Sequence, residues 1–175
     1  MSFFTRRGVS SPPQLEKNGT VTIWPDYDHS VPVWDRLFTL GFVGILEESE
    51  KVRKKRILTE EEDAFFEGIK ITYEAILMLI ERLEDTATTD KMKKALHTLL
   101  KGAPQHFYEA LLLSYLYFIV SEHIDNLQVR SLSGFDSSFY KFYKNDLASG
   151  VTEEEIRKDL AYYFLQFTAI GNYWN

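Results

Sequence analysis

From Ala110 to Val120 the chain reads ALLLSYLYFIV, an apolar and aromatic run interrupted only by Ser114. A helix that meets water on one side carries an apolar stripe about 100° wide, so a helix apolar all round must be covered on most sides. The run falls short of the roughly 20 apolar residues that a bilayer crossing needs. Pro104 suits a first helical turn, where its missing N–H costs nothing. Pro104–His123 is therefore expected as a central buried helix with the other segments packed around it.

The rest of the chain supplies those segments. Residues 1–28 show no period and carry turn chemistry at Ser10-Ser11-Pro12-Pro13 and Lys17-Asn18-Gly19-Thr20, with Val21–Trp24 as a four-residue strand at most. This segment is expected to be irregular, and residues 29–175 to form the helical domain. Ser30 is a suitable N-cap with Pro32 just inside the first turn. Val33, Leu37, Leu40, Val43 and Leu46 follow at helical spacing. Gly41 and Gly44 lie inside that helix, where each costs about 1 kcal/mol against alanine, which predicts close approach of another backbone. The basic run Lys51–Arg56 reads as a solvated helix end whose cations complement the dipole.

Thr59-Glu60-Glu61-Glu62 and Thr152-Glu153-Glu154-Glu155 are capping boxes. The first opens a long amphipathic helix to about Asp85 with Phe66, Ile69, Tyr73, Ile76, Ile80 and Leu83 on one face. The second opens a last helix through Ile156, Leu160, Tyr163, Phe164, Phe167 and Ile170. A shorter helix, Lys91–Lys101, is expected to stop at Gly102, and an aromatic one, Phe135–Ala148, at Gly150; Gly171 ends the last. Asn126–Ser133 alternates weakly and reads as a short strand or extended segment. The pattern is mainly α, with about six helices and at most one or two short strands.

Composition narrows the function. The 175 residues suffice for one domain, and 45% are hydrophobic. A net charge of −6 argues against a nucleic-acid partner, which needs a basic surface. The same acidity argues against a membrane surface. Two arginines in Met1–Gly8 precede no apolar run, so no signal peptide is expected and the default address is cytoplasmic. With no cysteine there is no disulfide, thiolate metal site or thiol nucleophile.

The four histidines, His29, His97, His106 and His123, have no partners at metal-ligand spacing, so no metal is expected. His97 and His106 read as surface or cap residues, and His123 as a cation at a helix C-terminus. His29 stands apart. In Pro25-Asp26-Tyr27-Asp28-His29 it precedes a helix start and could donate to a bound hydroxyl or carboxylate, with Asp26 or Asp28 orienting it. There is no phosphate loop, dinucleotide fingerprint or nucleophile elbow.

Two stretches together resemble the pyruvate formate-lyase/glycerol dehydratase family of glycyl radical enzymes. One is His29-Ser30-Val31-Pro32 leading into Leu37, Leu40-Gly41 and Gly44-Ile45, similar to a GH..P turn that opens a helix with an L-x-x-G-x-x-G-I pattern. The other is Phe107-Tyr108-Glu109-Ala110 leading to Phe135-Asp136, Tyr140, Tyr143 and Asn145-Asp146, similar to an FxEA helix followed by an RFDQY…YY..D segment. The resemblance runs from about Tyr27 to Ile170. It implies a helical section of a family whose complete fold is a ten-stranded α/β barrel wrapped in helices. In that family an S-adenosylmethionine iron–sulfur activase installs a glycyl radical, and a cysteine relays it to substrate. These 175 residues hold neither a cysteine nor the Arg-Val-x-Gly-Tyr radical loop, so the chain alone is expected to be non-catalytic and to bind no cofactor.

By the same resemblance His29 matches a histidine that binds a substrate hydroxyl in the dehydratase branch. The hydroxyl-binding serine of that branch falls on Val129, which disfavours glycerol, and Gly134 stands where arginine is frequent. The chain is expected to be an N-terminal-half part of such an enzyme, and Trp174-Asn175 after a helix stop resembles a cut through a continuing chain. A complementary polypeptide or a homo-oligomer would then complete it. The alternative is a non-catalytic helical module that binds a partner or self-associates.

Overall fold

A computed structural model of the chain describes residues 32–125, 132 and 134–170. Among them lie six helices and no strand: α1 Trp34–Lys54, α2 Glu60–Thr86, α3 Asp90–Leu99, α4 Phe107–Asp125, α5 Phe135–Ala148 and α6 Glu153–Ile170. The irregular segment 1–28, the strand expected at Val21–Trp24, nearly all of Asn126–Ser133, and Gly171 lie outside the described residues.

The buried helix sits at the centre, as its composition requires. No residue of α4 from Phe107 to Ser121 is exposed. α1, α3, α5 and α6 all pack against it, while α2 lies on α1 and α3. Much of the middle is aromatic. The Phe38 ring centroid is 4.8 Å from that of Phe139 and 5.6 Å from that of Phe142, which joins α1 to α5. Phe107 of α4 closes on Phe139 at 6.0 Å. These edge-on contacts suit the ring quadrupole and add to the gain from area burial.

Helix ends follow local chemistry where the cap is local. Thr59 and Glu62 complete a reciprocal capping box at α2. At α6 the Thr152 amide donates to Glu155 (2.9 Å) and the Glu155 amide to Thr152 Oγ1 (3.3 Å). α5 ends as expected at Ala148. Gly150, at φ 93°, lets its own amide reach Leu147 O (3.1 Å) and that of Val151 reach Asp146 O (3.0 Å). That pair of bonds is a Schellman motif.

Four expectations shift. Pro32 stands outside α1: its carbonyl accepts from the Trp34 amide (2.9 Å) across a tight turn at Val33, and the helix begins after it. Pro104 likewise precedes α4 by three residues, because carboxylates cap that helix at His106 and Phe107. α3 runs one residue earlier than expected at its start and ends at Leu99, with Leu100 rather than Gly102 closing it. On α6, Phe164 is 48% exposed although it falls on the apolar face. Its ring leans outward onto Phe135.

The two glycines of α1 separate. Gly41 (φ 63°, ψ −178°) breaks the helix, and a Cβ there would stand 2.5 Å from Gly102 O and 2.8 Å from Gly102 C. The predicted close approach is real and its partner is the α3–α4 connection. Gly44 has no foreign backbone nearby. A Cβ there would touch only Leu40 of its own helix.

Candidate functional site

The predicted substrate-binding residues, His29, Asp26 and Asp28, lie outside the described residues, as does Val129. The described chain takes up at Pro32, three residues after His29. Trp34 anchors that entry. Its indole packs on Phe38, Tyr117 and Phe118. Nε1 is buried and has no hydrogen-bond partner among the described residues. A buried donor left unmet costs about 1–3 kcal/mol.

The most connected polar group in the described part is the N-terminus of α4. Its first amides point away from the helix and need acceptors. Glu109, in the first turn, folds back so that Oε2 accepts from the Gln105 amide (2.7 Å) and the His106 amide (3.1 Å). Asp146 reaches across from α5: Oδ2 accepts from the Phe107 amide (2.8 Å) and Oδ1 meets His106 Nδ1 (2.7 Å). Both carboxylates are buried, at 7% and 4% exposure. Negative charge there also complements the helix dipole. The Asp146 hydrogen bond, with the field of Asp146 and Glu109, raises the His106 pKa above its usual 6.5 against a smaller opposing effect of burial.

This cluster holds a backbone in place. His106, read as a surface or cap residue, lies at the start of α4, and its ring remains more than half exposed. The two stretches of the second motif, Phe107–Ala110 and Tyr140–Asp146, meet here although 39 residues of chain separate Phe107 from Asp146. Glu109 and Asp146 thus carry an architectural role that no local reading of spacing could assign.

Other polar groups are also accounted for by packing. His97 Nδ1 meets Glu84 Oε1 at 3.0 Å on the surface. Of the basic run, Arg53 is held by Asp63 (2.8 Å) and Glu67 (2.6 Å), which ties α1 to α2. Lys91 joins Asp159 (2.6 Å) and lies over the Tyr108 ring, linking α3, α4 and α6. Ser114, the polar break in the buried run, bonds to Leu111 O (2.8 Å) and meets the Tyr163 hydroxyl (3.0 Å). Burial pushes the Tyr163 phenol up to about 12. The side chain of His123 lies outside the described residues. Among those described, no three His, Asp or Glu side chains converge as metal ligands.

The helices and the carboxylate-capped junction define a mainly helical domain built around one helix that exposes no residue from Phe107 to Ser121. A family model described as pyruvate formate lyase-like matches residues 17–173, and the chain belongs to that family. A search of curated proteins finds no match.

Proposed function

We propose that the chain acts as the helical section of a glycyl radical enzyme of the formate-lyase or dehydratase type. In the complete enzyme the reaction is radical C–C or C–O cleavage of a small metabolite. His29 lines the substrate pocket and donates to a substrate hydroxyl or carboxylate, and Asp26 or Asp28 orients its ring. The radical glycine and its relay cysteine belong to sequence outside these 175 residues, supplied by the same polypeptide or by a complementary one. Radical transfer needs an anaerobic cytoplasm, and no described helix is long and apolar enough to cross a membrane.

The observation that supports this reading is the junction at α4. Residues from both halves of a family motif converge on it, and the family match spans the segment that holds them. The test is anaerobic expression of the complete reading frame with its activase, followed by electron paramagnetic resonance. A glycyl radical doublet is expected. A complete frame that never shows the doublet sinks the proposal. A second reading, a helical module that self-associates, is favoured by one observation: α2 turns a row of apolar and small residues outward.

A further inference from the structure

Within the described residues the chain leaves the layer around α4 once and comes back once. Trp34 and Phe38, in the first turns of α1, pack on Phe118, Phe139 and Phe142. After Gly41 the chain runs through the rest of α1, all of α2 and all of α3, and it returns to α4 through Gly102. Residues 42–101 are thus one excursion with a glycine at each end. The two glycines touch: a Cβ on Gly41 would lie 2.5 Å from Gly102 O. Rotation about a line through two neighbouring pivots stretches the chain at neither of them. This contact is therefore where the excursion can turn as a whole.

The backbone at both pivots suits a turn. α1 is already broken at Gly41, at φ 63° and ψ −178°. Gly102 has an ordinary φ, and a Cβ there would meet nothing within 4 Å. Neither its conformation nor its packing calls for glycine, which gives up more freedom on folding than any other residue. What glycine keeps is access to further backbone states. Hinges are the few positions at element ends that absorb such changes.

The excursion is tied together internally. Arg53 of α1 holds Asp63 (2.8 Å) and Glu67 (2.6 Å) of α2. Phe42 packs edge-on against Tyr73, with ring centroids 6.2 Å apart. His97 of α3 meets Glu84 of α2 at 3.0 Å. Toward the remainder of the layer two ion pairs cross. One joins Arg36 to Glu48. In a straight helix those residues would stand about 18 Å apart, so the bend at Gly41 is what brings them together. The other lies at the start of α3, the end remote from Gly102. There Lys91 Nζ donates to both carboxylate oxygens of Asp159, each at 2.6 Å, and sits over the Tyr108 ring. α3 also lays Ala95, Leu96 and Leu99 into the core, so the closed arrangement dominates.

We propose that residues 42–101 swing as one body about the Gly41–Gly102 contact, with Lys91 and Asp159 as the latch that holds them shut on α4 and α6. Opening parts the start of α3 from Tyr108 and Asp159 and uncovers the flank of α4 that α3 covers. The open form is a minor state whose population the latch sets. Each ion pair that crosses has an exposed partner, Lys91 at 51% and Arg36 at 60%. Salt screens such charges and so favours opening.

The test uses the full 175-residue chain. It has no cysteine, so a Glu81→Cys, Gln166→Cys pair takes two spin labels, one on α2 and one on α6. A Lys51→Cys, Glu81→Cys pair, both inside the excursion, is the control. Double electron–electron resonance should give one main α2–α6 distance and a minor longer one. The longer one should grow severalfold in Asp159→Asn, in Lys91→Gln and on going from low to high salt. It should shrink severalfold in Gly102→Ala, at an unchanged unfolding midpoint, so a lost hinge is not mistaken for a lost fold. The control distance should stay fixed throughout. If Asp159→Asn fails to fold, Lys91→Gln, at a half-exposed side chain, decides the matter. The proposal is overturned by an α2–α6 distance that stays single in Lys91→Gln at high salt. It is overturned equally by a longer population indifferent to Gly102→Ala, or by a control distance that broadens alongside, which would mean local melting. None of these outcomes depends on radical chemistry.

Discussion

Replacing Gly41 with alanine should damage this fold more than any other single methyl group added at a glycine. Two costs combine. Gly41 sits at φ 63°, ψ −178°, in a region of backbone space that is essentially glycine's own. A residue with a Cβ pays about 1–3 kcal/mol to stay there. The added methyl would also lie 2.5 Å from Gly102 O and 2.8 Å from Gly102 C. Those atoms are backbone, so no side-chain rotation relieves the overlap. The α3–α4 connection must shift, at about 1–3 kcal/mol for overpacking. Together the loss is about 2–6 kcal/mol, a large part of the roughly 5–15 kcal/mol by which a domain is stable. For a chain of this length it corresponds to a fall in thermal midpoint of about 5–20 °C. Two controls isolate the cause. Gly102→Ala adds a methyl that meets nothing within 4 Å at an ordinary φ and should shift the midpoint little. Gly68→Ala should stabilise by about 0.5–1 kcal/mol, since a Cβ there meets nothing within 4 Å. Urea unfolding followed by near-ultraviolet circular dichroism gives all three values. A Gly41→Ala midpoint equal to wild type, or a Gly102→Ala loss as large as that of Gly41→Ala, would refute the close-approach argument.

The remaining predictions concern caps and the buried hydrogen bonds. His106 has a raised pKa in the folded chain, so its contribution to stability is fully present below the unfolded value near 6.5 and is lost as pH rises through the folded value. The stability difference between wild type and His106→Asn should therefore be largest in mildly acid buffer and shrink toward pH 8, measured by urea titration at each pH; a flat difference removes the Asp146 pairing as its cause. Asp146→Ala strips acceptors from the Phe107 amide and from His106, and should cost about 2–4 kcal/mol in the same assay. Thr59→Ala and Thr152→Ala each remove one N-cap and should cost about 1 kcal/mol, additively, because they cap different helices. Ser114→Ala and Tyr163→Phe should be non-additive in a double-mutant cycle, the double variant losing less than the sum, because each single change strands the other hydroxyl.

How far the sequence could be read depended on the distance between the residues that decide each feature. The capping boxes at Thr59 and Thr152 are four residues long, and both helices begin where those residues predict. α5 ends at Ala148 because Gly150 is next to it. The start of α4 was not legible. Pro104 offered a local signal, but the acceptor for the Phe107 amide is Asp146, which reaches it from another helix. Gly41 was half legible: a costly glycine implied a close backbone, yet nothing in the sequence could say that the backbone was Gly102. At the candidate site, His106 was read as a surface or cap residue, and it is both: its ring is more than half exposed at the start of α4. Its carboxylate partner was not legible: Asp146 stood in the family motif, but nothing local to it pointed to a histidine on another helix.

The residues that carry the family resemblance divide by what they do. Glu109 and Asp146 act on backbone amides, and their work is finished within the described helices. Gly41 acts on a backbone carbonyl across the same layer. None of these needs a substrate, a radical or a second chain. Motifs of this kind would persist in any relative that keeps the helical layer, whatever its chemistry, and so they argue for architecture more strongly than for a reaction. Of the residues singled out for chemistry, His29 and its aspartates precede α1 in the chain. The start of α1 that follows them is fixed by Trp34 against α4. If the reaction is kept, it is at His29 and its aspartates that variation should change substrate, while changes at Glu109 or Asp146 should lower stability and substrate turnover together and leave selectivity as it was.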